Sequence, residues 1–212
     1  MSSQTPFSPQ LPEIFSRMGE LLRAHNPSTY ELPGFTPAAV VLLLWVARGQ
    51  PHLLLIRRSR SLRHHPGEIG FPGGRKDPSD PDLRATAIRE LHEEVGVRAR
   101  HTMILGRLEQ QISFSRYCIA PFVLALSSPP VLRPNGEVQE LLPMSLARLP
   151  LEGFIPENRE FLGKTLHSWR LITEHGPIWG ATARILRGFL LLLAQHGLLP
   201  QDRASAPSRL KL

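Results

Sequence analysis

The chain has 212 residues, of which 42% are hydrophobic and 20% are charged, and its single cysteine is Cys118. This composition is typical of a globular protein with a sizeable core, and one cysteine excludes an internal disulfide framework. The formal net charge of +7 points weakly to an anionic partner. Because the cations are nearly all arginines spread along the chain, we expect nucleic acid not to be the main partner.

The apolar runs of the chain, including residues 38–47 and 189–194, are far shorter than the roughly 20 residues that a membrane-spanning helix needs. The N-terminus lacks the basic and apolar pattern of a secretory signal. We therefore expect a cytoplasmic location and no membrane partner.

Proline and glycine set the first 36 residues apart from the rest of the chain. Within them, the amphipathic run 11–24 predicts a helix that is followed by a loop. Continuous apolar runs at 38–47 and 53–56 flank a turn signal, which predicts two buried strands in a hairpin. A glycine-rich loop follows at 66–74.

Residues 83–95 are predicted to form a helix, because Asp80 and Asp82 offer N-cap carboxylates and Gly96 is a C-terminal stop signal. Further predicted elements are strands at 103–108, 118–126 and 138–142 and a last helix at 178–199. We divide the chain into an N-terminal extension (1–36), a main domain (37–200) and a flexible tail (201–212).

Three glutamates at helical spacing give the strongest chemical signal. A helix turns by about 100° per residue, so Glu90 and Glu94 fall within about 20° of Leu83 on the apolar face, and Glu93 flanks them. Such carboxylates repel one another and lose hydration, so a cation has to offset them, and no lysine lies on that face. Hard oxygen ligands in this arrangement predict a Mg²⁺ or Mn²⁺ site.

Two neighbouring features suit a metal and phosphate site. Arg89 points away from the expected metal position, which predicts that it orients a carboxylate or a loop carbonyl instead of touching substrate. The glycine-rich loop ends in Gly73 and Gly74, whose backbone groups can closely approach a metal and a pyrophosphate.

At these residues the sequence resembles the Nudix hydrolases. Residues 89–97, Arg-Glu-Leu-His-Glu-Glu-Val-Gly-Val, match the second half of the Nudix box at every position. The first half departs from the box, because one extra residue separates Gly74 from Arg89 and Asp80 stands where the first glutamate would be.

A longer string is similar to the signature of the coenzyme A diphosphatase branch of that superfamily. In chain order it comprises residues 54–59, residues 62–74, Asp77, Asp80, residues 137–138 and residues 178–186. Two positions depart from the signature: Ile56 replaces a threonine and Glu68 replaces a glutamine. Glu68 adds a negative charge beside the expected polyphosphate site, so it is the departure that bears on substrate choice.

The resemblance implies an α/β/α sandwich with a mixed β-sheet and a loop-helix-loop catalytic motif. The implied reaction is hydrolysis of coenzyme A to 3′-phosphoadenosine 5′-phosphate and 4′-phosphopantetheine, by water attack on phosphorus with Mg²⁺ or Mn²⁺ as cofactor. The implied metal ligands are Glu90, Glu93, Glu94 and the Gly74 carbonyl. The implied catalytic residues are Glu93 or Glu137 as general base, together with Arg89.

The residues expected to bind substrate are Arg58, Arg63, His64 and Gly73. The dense cationic run Arg57, Arg58, Arg60 and Arg63 is expected to meet the 3′-phosphate of coenzyme A. We assign His65 to packing.

Other functions stay open at this point. A Nudix pyrophosphatase could instead act on ADP-ribose, a dinucleotide or a damaged nucleoside triphosphate. A non-catalytic nucleotide sensor is disfavoured by the intact glutamates, and a basic RNA-binding or decapping-type protein is a further alternative. A homodimer is also compatible with the sequence.

Overall fold

A computed structural model describes residues 12–25 and 27–199. The expected C-terminal tail and the first residues of the N-terminal extension lie outside this part of the chain. The helices are α1 (Glu13–His25), α2 (Leu83–Val95) and α3 (Gly180–Gln195). The first eight strands are β1 (Thr36–Ala47), β2 (Gln50–Arg58), β3 (Ile69–Gly70), β4 (Gly73–Arg75), β5 (Met103–Arg107), β6 (Gln111–Ile112), β7 (Tyr117–Ala125) and β8 (Val138–Ser145). The last five are β9 (Phe154–Pro156), β10 (Arg159–Phe161), β11 (Lys164–Leu166), β12 (Trp169–Thr173) and β13 (Gly176–Trp179).

The first eight strands form one mixed sheet around β1. Its central path runs β3-β2-β1-β7-β5, while β4, β6 and β8 pair with β1, β7 and β2, respectively. β1 and β7 are parallel, and the other pairs are antiparallel. β1 and β2 form the predicted hairpin, whose two-residue turn has positive φ at Arg48 (51°) and Gly49 (74°).

Successive residues of β1 face opposite layers of the molecule. Leu42 and Leu44 belong to one hydrophobic core, whereas Val41 and Leu43 belong to the other. β2 alternates in the same way, so its continuous apolar run reflects a strand buried on both faces. The prediction of two buried strands is confirmed.

Helices cover both faces of the sheet. In α1, Phe15 and Leu22 are buried in one core together with residues of α3, and in α2, Leu91 is buried in the other. This is the expected α/β/α sandwich. Leu22 lies so close to β5 that a Cβ on Gly106 would come within 2.6 Å of it.

α1 therefore shares the main core, while the domain boundaries given above stay predictions. Within residues 12–25 and 27–199, no helix is long and apolar enough to cross a bilayer.

The last third of the chain differs from the sequence-based prediction. β9, β12 and β13 form a small sheet and β10 and β11 a hairpin, in a segment where no strand was predicted. The last helix begins at Gly180, because Ile178 pairs in β13 and the positive φ of Gly180 (64°) marks the change of backbone direction. It ends at Gln195 and not at 199, and Gly197 (φ 64°) follows in the left-handed conformation that stops helices.

Candidate active site

Local signals set both ends of α2. The Asp82 carboxylate accepts the backbone N–H of Ala85 at 2.7 Å, which caps the first turn. Gly96 has φ 76° and donates its N–H to the carbonyl of His92. The predicted helix over 83–95 is confirmed, and it places the three glutamates in its last two turns.

The glutamates differ in exposure in the order that the helical spacing predicts. The Glu94 side chain is 3% exposed, that of Glu90 16% and that of Glu93 51%. Glu94 therefore faces the sheet, Glu90 lies at its edge, and Glu93 reaches solvent.

Glu94 is a buried carboxylate with two polar partners from the sheet. One of its oxygens accepts the Gly73 N–H at 2.8 Å, and the other lies 3.4 Å from Nη1 of Arg58. Burial raises the pKa of Glu94 to about 8, although the Gly73 amide and the Arg58 guanidinium both lower it. A cation bound at this carboxyl group would compensate for the water removed by burial and would favour release of the proton.

The two glycines of β4 permit a close approach on both sides. A Cβ on Gly73 would lie 2.3 Å from the Ala39 carbonyl oxygen, and one on Gly74 would lie 2.4 Å from Oε1 of Glu90. The Glu90 carboxylate therefore rests directly against the Gly74 backbone. Burial raises the pKa of Glu90, and Arg89 opposes that rise.

Arg89 joins the helix to the loop that precedes it. Its Nη2 donates to Asp80 at 2.9 Å and to the Arg75 carbonyl at 3.2 Å, and its Nε also bonds Asp80. The Arg89 guanidinium holds the pKa of the buried Asp80 carboxyl well below its usual range. Arg89 thus orients a carboxylate and a loop carbonyl, as its position on the helix predicts, and it acts as a positioning residue.

The expectation that no protein cation offsets the glutamates is wrong. Arg89 lies 2.9 Å from both Glu90 and Glu93, and Arg58 pairs with Glu94. These arginines come from the back of the helix and from β2, so inspection of the apolar helix face for lysines could not find them.

Glu137 reaches the same arginine from the other side. Its carboxylate lies 4.0 Å from Nη2 of Arg58 and is 55% exposed. The loop that carries it is tied to α2, because Asn135 donates its N–H to the Glu94 carbonyl at 3.1 Å. Glu93 and Glu137, the two predicted general bases, therefore flank Glu94.

The cationic run before the loop divides into two pairs. Arg57 is held by Glu140 at 2.9 Å and by the His175 carbonyl, and Arg58 is held by glutamates. Arg60 and Arg63 are exposed and, within the described part of the chain, make no side-chain hydrogen bond or ion pair. Arg57 and Arg58 thus already have carboxylate partners, whereas Arg60 and Arg63 are free to meet an anion.

The two adjacent histidines also differ. His64 is exposed and, like Arg63, has no hydrogen bond within the described residues. His65 uses both ring nitrogens, at 2.9 Å from Glu68 and 2.8 Å from Oγ of Ser115. It therefore has polar partners that the assignment to packing did not include. In the branch signature Leu-Arg-x-His-x-Gly-Gln, His65 and not His64 occupies the histidine position, a signal that could have identified it.

The donor set at this site fits Mg²⁺ or Mn²⁺. Glu90 against Gly74 and Glu94 against Gly73 bring hard oxygen ligands to one loop. Across residues 12–25 and 27–199, however, no three acidic, histidine or cysteine side chains already converge on one point. Glu90 and Glu93 pair with Arg89, and Glu94 pairs with Arg58. The three carboxylates are therefore neighbours on the helix, but they do not point to a common centre.

Comparisons with known proteins agree with this geometry. The NUDIX domain family matches residues 34–164. A Nudix hydrolase NudL of Enterobacter sp. (strain 638), which is uncharacterised, is 35% identical over 167 residues, covering 76% of this chain and 84% of its own. Its counterpart in Yersinia pestis (strain Pestoides F) is 38% identical over 154 residues, covering 70% and 76%. The chain therefore belongs to the Nudix family of hydrolases.

A solved structure supports the fold. The MutT/nudix family protein of Enterococcus faecalis superposes with a TM-score of 0.50 at 14% identity, covering 87% of this chain and 76% of the other. At this identity the likeness concerns architecture alone, and it agrees with a Nudix α/β/α sandwich.

Proposed function

We propose that this protein hydrolyses the diphosphate of coenzyme A to 3′-phosphoadenosine 5′-phosphate and 4′-phosphopantetheine, by attack of water on phosphorus. The observation that carries the proposal is the pair of Glu94, which is buried, and Glu90, which is half-buried, in contact with Gly73 and Gly74. Carboxylates beside an open glycine backbone suit a divalent cation and the diphosphate it accompanies.

In this proposal Glu90, Glu94, Glu93 and the Gly74 carbonyl hold Mg²⁺ or Mn²⁺. When bound, the cation neutralises charge on the diphosphate oxygens and lowers the pKa of water. Arg89 keeps Glu90 and Glu93 on one side of the site through its bonds to Asp80. The Gly73 amide fixes one oxygen of Glu94, which leaves the other to face Arg58 and the incoming charge.

The general base is either Glu93 or Glu137. Both side chains are about half exposed, so each can accept a proton from water and pass it to solvent. Glu93 is paired with Arg89 at 2.9 Å, and this fixed position suits a metal ligand. Glu137 lies farther from its arginine, at 4.0 Å, and is the freer of the two to act as base.

Recognition of coenzyme A would depend on its 3′-phosphate. Arg60, Arg63 and His64 lie in the loop that leads to Gly73, and their side chains are exposed without internal partners in the described residues. A phosphate dianion would give these side chains the partner they lack. Arg57 does not belong to this set, because Glu140 already neutralises it.

A second candidate is a Nudix pyrophosphatase for ADP-ribose or a dinucleotide. Glu68 favours it, since a carboxylate in place of the signature glutamine adds negative charge near the phosphates. The Glu68 carboxylate lies 2.9 Å from Nδ1 of His65, and this contact engages it within the loop, which weakens the objection to coenzyme A.

The test is a substrate panel with Mg²⁺ or Mn²⁺ in ¹⁸O-enriched water, with products identified by mass. We expect label in one phosphate product and a kcat/KM for coenzyme A at least about tenfold above that for 3′-dephospho-coenzyme A, because one charge-assisted contact contributes about 1.5–3 kcal/mol. Arg63→Ala should remove much of this gap. Arg148→Ala, a change at an exposed arginine outside the loop, should leave it intact.

The results test the substrate and the reaction type separately. Equal rates for the two coenzyme forms, with ADP-ribose above both, would replace coenzyme A by the second candidate. Label on carbon, or no turnover of any diphosphate, would contradict diphosphate hydrolysis itself.

A further inference from the structure

A second cavity lies at the C-terminal end of α2, on the far side of the helix from the candidate active site. Its volume is about 750 Å³, within the range of sites for small ligands. Its wall includes His92, Arg98, Arg100, His101 and Arg133. His92 projects from α2 on the side opposite Glu90 and Glu94, so the cavity and the carboxylates do not share a helix face.

The charge of this cavity is of one sign. Three arginines and two histidines line it, and no aspartate or glutamate does. In residues 12–25 and 27–199, the side chains of Arg98 and Arg133 make no hydrogen bond or ion pair, and Arg100 bonds only His101, at 3.1 Å. Guanidinium groups gathered without carboxylates repel one another, and an anion between them would reverse that cost.

These arginines are not needed to cap the helix. Backbone amides already satisfy three of the last four carbonyls of α2: His92 accepts from Gly96, Glu94 from Asn135, and Val95 from Arg133. The negative end of the helix is therefore closed by the main chain, and the arginine side chains stay available to a ligand.

One part of the wall is apolar. Met103 is 48% exposed and Val131 is 81% exposed, and both line the cavity beside Pro129 and Pro130. A purely inorganic anion would leave this surface in water, whereas a ligand with a flat ring beside its phosphates would cover it.

We propose that this cavity binds a nucleoside diphosphate as a second ligand, separate from the substrate. Its phosphates would contact Arg98, Arg100 and Arg133, and its base would lie against Met103 and Val131. The proposal goes beyond diphosphate hydrolysis and does not depend on it, since no residue assigned to the reaction lines the cavity.

The test is a titration of the full-length, metal-free protein with ADP, followed by backbone amide chemical shifts. We expect saturable shifts in residues 97–103 and 127–133, separate from any at Gly73 and Gly74. The double variant Arg98→Gln/Arg133→Gln should weaken binding at the cavity at least about tenfold, because it removes two charge-assisted contacts. Arg148→Gln is the matched control, and it should bind as the parent does.

Two further probes identify the occupant. Inorganic diphosphate should bind at least about threefold more weakly than ADP, because it leaves the apolar wall exposed. Equal affinities for diphosphate and ADP would contradict a role for the nucleoside in binding. The absence of chemical shift changes with ADP would contradict the existence of the site. Salt-sensitive binding of a single-stranded RNA oligonucleotide at these residues, without a saturable response to ADP, would replace the proposal with a nucleic-acid surface.

The double variant also has an independent readout. Its dispersed amide spectrum should match that of the parent, since both changed side chains are exposed. Its kcat/KM for the best substrate of the panel should be unchanged. A loss of turnover in this variant, with its amide spectrum unchanged, would contradict the separation of the two sites.

Discussion

Glu94 is removed from water, yet one backbone amide and one guanidinium keep it in place. A charged ligand in such a position stabilises the transition state mainly through charge and geometry. We therefore expect Glu94→Gln to lower kcat at least about a hundredfold with the fold intact. Steady-state rates at saturating Mg²⁺ and circular dichroism would measure both effects.

The matched control for that change is Glu20→Gln, at an exposed position of α1. It removes the same charge outside the site and should leave kcat unchanged. A near-normal kcat for Glu94→Gln would remove Glu94 from the metal-binding set.

Glu94 also makes stability depend on pH. Burial raises its folded-state pKa from the ordinary 4.5 to about 8, so between these values the folded protein binds more protons than the unfolded chain. Its contribution to the free energy of unfolding is present below pH 4.5 and is lost as the pH rises towards about 8. Metal-free Glu94→Gln, which cannot ionise, should therefore melt above the parent at pH 8.5, and the difference should shrink at pH 5.5.

Thermal scans at both pH values, with and without Mg²⁺, measure this effect. Saturating Mg²⁺ should restore the parent at pH 8.5 and have little effect on the variant. A metal-free variant that melts below the parent at pH 8.5 would show that the Arg58 and Gly73 contacts outweigh burial.

At the scale of the element, α2 could be predicted closely because its signals are local. Asp82, Gly96 and the spacing of the glutamates are all read within one short segment, and the structure has the helix at the predicted residues. Its partners could not be found in this way. Arg58 lies 36 residues before Glu94, and only the pairing of β2 with the sheet brings the two together.

The junction between α2 and its preceding loop depends on Arg89 and Asp80. Asp80 is buried and accepts hydrogen bonds from two nitrogens of Arg89. This guanidinium is the main group that stabilises the charge of the Asp80 carboxylate. A double-mutant cycle with Asp80→Asn and Arg89→Gln should give a coupling energy of about 1–3 kcal/mol by urea unfolding. Both single variants should lower kcat, because Glu90 and Glu93 lose their common partner.

The comparison pair for this cycle is Arg159 and Glu157, which lies in a more exposed setting. Their coupling energy should stay below about 1 kcal/mol. Similar values for both pairs would mean that Asp80 does not hold the helix in place.

At the scale of the whole molecule, the strands of the main sheet that are buried on both faces could be predicted from the sequence, and the small C-terminal sheet could not. The runs 38–47 and 53–56 are apolar throughout, which is typical of strands buried on both sides. β9 to β13 are short, and most of their side chains are half or fully exposed, as in β10, where none is buried. Their sequence therefore lacks the periodic apolar signal that a strand prediction needs.

The two cores give the last prediction. Leu22 of α1 and Leu91 of α2 are each 1% exposed, but they lie on opposite faces of the sheet. Truncation to alanine should lower the free energy of unfolding by about 2–5 kcal/mol in either case. At a temperature where both variants are folded, Leu22→Ala should keep the parental kcat. Leu91→Ala should reduce it, because Leu91 follows Glu90 and anchors α2, which carries the proposed metal ligands, to the sheet. Equal kcat losses in the two variants would mean that activity follows overall stability and not the seating of α2.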